Sequence, residues 1–152
     1  MARMSNSPIR YGIVGTGMMG CEHIRNLVAL PGSQVTALAD PHPESHRMGQ
    51  RACATQSRPV EIYSDPRELI RNAPVDALVI ATPNHSHAEI LESVFESELH
   101  ILVGKPLCTP HEDCQRVTRR ARPIRACFGS VSNTATWPRR RPTVSAPKWS
   151  LG

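Results

Sequence analysis

Three glycines spaced Gly15-x-Gly17-x-x-Gly20 stand between a β-branched run at residues 9–14 and a stretch in which Ile24, Leu27 and Val28 recur at helical spacing. This order reads as strand, tight turn, helix. It restricts the chain more than any other feature: Gly15 permits the tight turn, Gly17 lets another group approach the backbone, and Gly20 allows the helix to pack closely on the strand.

The pattern then repeats. Pro31-Gly32 stops the first helix, and a second short apolar strand at 35–39 ends at Asp40. A polar helix is expected from Pro43 to about Ala54, then a third strand at 60–63, and a short helix capped by Asp65 with Pro66 at its first position. Residues 76–82 form a nearly all-apolar run, as expected of a parallel strand covered on both faces, and Pro83-Asn84-His85 breaks it. Ser86 and Glu89 are spaced as a capping box for a helix carrying Ile90, Leu91, Val94 and Phe95. A fifth strand follows at 100–103, and Thr109-Pro110-His111-Glu112 opens another helix. Such alternation specifies an α/β fold, a doubly wound parallel sheet with helices on both faces, and ligands in that fold bind at the carboxyl ends of the strands. Residues 1–121 are expected to form one domain, followed by an irregular basic tail at 122–152.

Placed at the end of the first strand, the glycine turn offers the free N–H groups of a helix N-terminus to a pyrophosphate. Asp40, 20 residues beyond Gly20 at the end of the second strand, is positioned to accept hydrogen bonds from the hydroxyls of an adenosine ribose. Together they predict a Rossmann NAD(P)-binding domain. A carboxylate there repels a 2′-phosphate, and Pro41 and His42, not Arg or Lys, follow it; NAD is favoured over NADP, with Arg47 the nearest of those cations that could fold back toward a phosphate.

Three motifs on successive strand ends, residues 12–20, Ala81-Thr82-Pro83-Asn84 with His87, and Lys105-Pro106-Leu107, resemble the glucose-fructose oxidoreductase, inositol dehydrogenase and MocA family over about residues 9–122. The resemblance implies an NAD(P)-dependent oxidoreductase that transfers hydride between nicotinamide and a sugar, inositol or related polyol. It implies cofactor contacts from Gly15, Thr16, Gly17, Met18, Met19, Asp40, Thr82, Pro83, Asn84 and His87, the last starting the helix behind the loop, and a catalytic role for Lys105. Pro83 turns the chain out over the sheet edge, and Asn84 can both donate and accept. The family pattern has a glutamate before this lysine, whereas here stands Gly104. Its acid-base residue and most substrate contacts come from a second α/β domain, for which 152 residues leave no room.

His85 and His87 are expected to be solvated or capping residues; with no cysteine or carboxylate cluster beside them, no metal is expected. Five cysteines without a CxxC pair, no signal peptide and no long apolar run predict reduced thiols in a soluble cytoplasmic protein. The formal charge of +5 sits in the tail: residues 1–118 carry 10 Lys and Arg against 13 acids, a net of −3, while residues 119–152 carry 8 bases and no acid. Three readings of the tail stay open: a disordered extension, a basic arm for anionic partners, or a segment translated out of frame. On the last, residues 126–139 read one base out of phase can give Val-Phe-Trp-Val-Gly-Leu-Glu-Tyr-Arg-Tyr-Met-Ala-Pro, which resembles the family's next strand. No nucleic acid or membrane partner is expected. Beside the oxidoreductase stand two alternatives, a catalytically inactive dinucleotide-binding fragment and a basic-tailed binding protein.

Overall fold

The structure, a computed structural model, describes residues 7–121 and 128–131. Six parallel strands, β1 (Ile9–Val14), β2 (Ser33–Ala39), β3 (Glu61–Tyr63), β4 (Ala77–Ile80), β5 (His100–Gly104) and β6 (Phe128–Val131), lie in the order β3-β2-β1-β4-β5-β6. The chain leaves β1 toward one edge and returns at β4 toward the other. This reversal opens a crevice above the carboxyl ends of β1 and β4.

Five helices cover the two faces: α1 (Met18–Ala29), α2 (Pro43–Ala52), α3 (Pro66–Asn72), α4 (His87–Val94) and α5 (His111–Ala121). Period-2 alternation divides the strand residues between two cores. Val14, Leu78, Ile80, Ile101 and Val103 pack with Leu69, Leu91, Val94 and Val117, whereas Ile13, Val35, Leu38 and Val79 pack with Cys21, Ile24 and Leu27. Val35 and Ala37 nevertheless face opposite cores. The β1–β2 register skips Thr36, pairing Tyr11 with Val35 and Gly12 with Ala37, and this bulge reverses the parity of β2.

Local signals account for most element ends. Asp65 caps α3, its carboxylate accepting from the Arg67 N–H at 2.8 Å, with Pro66 at the first position. Ser86 does not cap α4. It lies in a 3-10 turn, Asn84–Ser86, with helical backbone angles, and its hydroxyl donates back to Thr82 Oγ1 at 2.9 Å and the Pro83 carbonyl at 2.8 Å, so the expected capping box does not form.

Within the stretch from residue 122 expected to be an irregular tail, the described residues include β6, which pairs with β5 from Ile101↔Phe128 to Gly104↔Val131. An open strand edge satisfies the N–H and C=O groups of any segment laid along it, without asking for an apolar period. The other tail residues, and the expectations of disorder or an altered frame that fall on them, lie outside the described residues.

Candidate functional site

The crevice holds two adjoining cavities, one of about 920 Å³ and one of about 440 Å³, which share Met19, Ala81 and Thr82 and so form one long groove over β1 and β4. Its floor is the glycine turn. Gly15 has φ +90°, and a Cβ there would lie 2.8 Å from the Ala81 carbonyl and the Thr82 nitrogen; a Cβ on Gly20 would meet the Gly15 carbonyl at 1.9 Å. Only glycine lets α1 start this close to β4. Gly17, the residue before α1, faces open space, and no side chain caps the helix nor any acid occupies its first turn. The free N–H groups of that turn remain available to an anion.

Asp40 closes the larger cavity at the end of β2. It is 7% exposed, with Oδ2 accepting from the Thr16 N–H at 2.9 Å and Oδ1 from the His42 N–H at 2.9 Å and the His42 ring Nδ1 at 3.2 Å. Burial pushes its pKa up, but the hydrogen bonds from Thr16 and His42 outweigh it together and hold the carboxyl below its usual value. Of its roughly four lone-pair sites one is unused, and a second is taken only by the exposed His42 ring. The Asp40 carbonyl is held by His46 Nε2, while Arg47 pairs with Glu44 on the outer face of α2.

Thr16 is fully buried and Met18 is 79% exposed beside the groove. Pro83 lines the larger cavity, Asn84 the smaller, and Thr82 both. His87 is neither solvated nor capping, which corrects that reading. Its ring is 1% exposed, with Nε2 2.9 Å from the Thr82 carbonyl and Nδ1 3.1 Å from both the Pro106 and Leu107 carbonyls. One imidazole thus lies between the loop after β4 and the loop after β5, in contact with carbonyls of both.

Lys105 follows β5, lines the smaller cavity and has neither ion pair nor hydrogen bond among the described residues. Three groove residues were missed in the sequence. His23 joins Lys105 in the smaller cavity, its imidazolium disfavoured by burial; it stands four residues after Met19 on α1, a helical spacing that could have revealed it. Arg67 and Glu89, paired across the larger cavity from α3 and α4, are distant in sequence and carried no such signal.

Among the described residues no three or more His, Cys, Asp or Glu side chains converge to hold a metal, and no helix is long and apolar enough to cross a membrane. Cys21, Cys53, Cys108 and Cys114 are free thiols, burial pushing those of Cys53 and Cys108 up to about 11.

Residues 9–128 match the model of a family described as an oxidoreductase family with an NAD-binding Rossmann fold. Inositol 2-dehydrogenase 1 of Saccharopolyspora erythraea is 36% identical over 110 residues, 72% of this chain and 32% of its own length. Inositol 2-dehydrogenase 2 of Paenarthrobacter aurescens is 40% identical over 101 residues, 66% of this chain and 29% of its own. The chain therefore spans about a third of these relatives. The crystal structure of scyllo-inositol dehydrogenase from Lactobacillus casei, with bound NAD(H) and scyllo-inositol, superposes with a TM-score of 0.70 at 20% identity, covering 80% of this chain and 36% of that one; at this identity it speaks for the fold alone.

Proposed function

The chain belongs to the oxidoreductase family with an NAD-binding Rossmann fold, and from that premise we propose that its groove holds NAD for hydride exchange with a sugar, inositol or related polyol. The observation that carries this reading is the placing of Asp40 and Lys105 at opposite ends of one groove, with an uncapped helix N-terminus between them. The groove's residues fit the cofactor: Asp40 has lone pairs left for ribose hydroxyls, the first turn of α1 has N–H groups for the pyrophosphate, and Gly17 leaves the space a phosphate needs. The turn residues Thr16, Met18 and Met19 and the loop Thr82, Pro83 and Asn84 would flank its middle.

NAD is preferred to NADP in this reading. Asp40 is ionised and buried at the position a 2′-phosphate would take, and Arg47 is engaged by Glu44. When bound, the cofactor supplies a nicotinamide that accepts or donates hydride. Lys105 would hydrogen-bond the reacting hydroxyl of the substrate and stabilise negative charge developing on its oxygen. His87 would fix the backbone on either side, holding Thr82 and Pro106 at a set separation. The thiol-rich, unbridged composition suits a cytoplasmic setting.

A second reading, a dinucleotide-binding chain without turnover, is favoured by one observation. The cavity around Lys105 contains Gly104 and, among the described residues, no carboxylate to orient the ammonium. Titration with NAD⁺ followed by a turnover assay with myo-inositol and NAD⁺ separates the two. Binding with turnover that disappears in Lys105→Ala supports the first reading, binding alone supports the second, and absence of binding overturns both.

A further inference from the structure

The smaller cavity is lined by Met19, His23, Asn84, His87, Gly104, Lys105 and Pro106 among others, and no acidic side chain among the described residues lines it. Its one permanently charged group is the Lys105 ammonium, which no carboxylate neutralises among the described residues. The two redox forms of a nicotinamide differ in charge: the oxidised ring is a cation, the reduced ring is neutral. A cavity of this composition cannot treat them alike.

Resting on the functional reading above, we propose that this chain's dinucleotide site selects the reduced cofactor, binding NADH more tightly than NAD⁺ through the uncompensated charge of Lys105. The size of the preference follows from the cavity. A ring cation held about 9 Å from the ammonium, roughly the span of a space of about 440 Å³, would interact with it by about twofold to twentyfold in affinity, depending on whether the effective dielectric is nearer 80 or 20. Adenosine, ribose and pyrophosphate are common to both forms and cancel in the ratio. A tenfold preference would raise the potential of the bound couple by about 30 mV, making bound NAD⁺ the stronger oxidant and favouring the direction in which substrate is oxidised.

Position 104 offers the converse test. A Cβ built on Gly104 would lie 3.6 Å from the Ile80 carbonyl and 3.7 Å from His87 Cε1, ordinary contact distances, and the residue does not have a positive φ. A β-carbon is therefore accommodated there without a clash, and a glutamate carboxylate that reached Lys105 would offset the ammonium's field.

The experiment is a pair of titrations of the whole chain at low and high salt, NADH by its fluorescence and NAD⁺ by calorimetry, repeated on Lys105→Met and Gly104→Glu. The expected result is a Kd ratio favouring NADH by between about twofold and twentyfold, narrowing as salt rises and collapsing toward unity in either variant. Lys105→Arg, which keeps the charge, should preserve the ratio, and it stands in should Lys105→Met fail to fold. Equal affinities in the unmodified chain, tighter NAD⁺, or a ratio unmoved by both Lys105→Met and Gly104→Glu would overturn the proposal while leaving NAD binding intact. Binding of neither form would remove the functional reading and the proposal with it.

Discussion

Replacing Asp40 tests two roles of one carboxylate at once. In Asp40→Ala the Thr16 N–H, in a fully buried residue, loses its acceptor, while the His42 N–H can turn to solvent. A buried donor left unsatisfied costs about 1–3 kcal/mol, so urea unfolding should show a lower midpoint with unchanged slope. Cofactor affinity should fall separately. Loss of a hydrogen bond to a charged acceptor, about 1.5–3 kcal/mol, corresponds to a Kd raised by roughly tenfold to a hundred and fiftyfold. Asp40→Asn keeps one acceptor oxygen but turns an amide toward the other donor, so it should lie between the unmodified chain and Asp40→Ala in both assays. Both variants should also narrow the discrimination against NADP⁺, because the charge that repels a 2′-phosphate is gone. A folded Asp40→Ala that binds NAD⁺ as tightly as the unmodified chain would refute the reasoning, since neither loop anchoring nor ribose recognition would then rest on this group.

Acid should destabilise the fold. The Asp76 carboxyl is held below its usual value chiefly by its side-chain hydrogen bond with Arg10, and Asp40 by the bonds from Thr16 and His42 despite burial; each contributes stability that is complete above the unfolded carboxyl pKa near 4 and is lost as pH falls through the lowered folded value. Urea midpoints measured between pH 7 and 2.5 should drop at the acid end, and a flat profile would contradict the assignment. Asp65→Ala should cost about 1 kcal/mol by loss of the α3 cap, whereas Ser86→Ala, at a residue that caps nothing, should cost less; equal losses in thermal melts would reinstate the capping box. Gly15→Ala should cost more than about 1 kcal/mol and abolish cofactor binding, since the new methyl meets backbone at 2.8 Å and a φ of +90°. Finally, burial lowers the His23 pKa, opposed by Glu22, and among the described residues Lys105 and His87 are the other titratable groups lining its cavity. The NADH-over-NAD⁺ ratio should therefore rise only once pH falls below the ordinary histidine range, where His23 with its lowered pKa gains a proton, and His23→Asn should remove that rise.

Much of this architecture was legible in the sequence because its signals are local. The glycine spacing, Asp40 at a strand end, the Asp65-Pro66 start of α3 and the all-apolar run of β4 each state their role within a few residues. What escaped depends on groups brought together from afar. The strand at 128–131 is defined by its pairing with β5, a long-range contact that no alternation in its own residues announces. Ser86 carries the capping signature, but the 3-10 turn ahead of it redirects the hydroxyl to Thr82. His87 looked like a solvated loop histidine, since nothing in the sequence shows that three carbonyls from two loops converge on its ring. Arg67 and Glu89 meet only because α3 and α4 lie side by side over the groove.

The account rests on the groove being an NAD site governed by Asp40, and calorimetric titration of the whole chain with NAD⁺ and, in parallel, NADP⁺ tests that most directly. One NAD⁺ per chain, bound more tightly than NADP⁺, is the predicted result; tighter binding of NADP⁺, or no heat of binding from either dinucleotide, would contradict it.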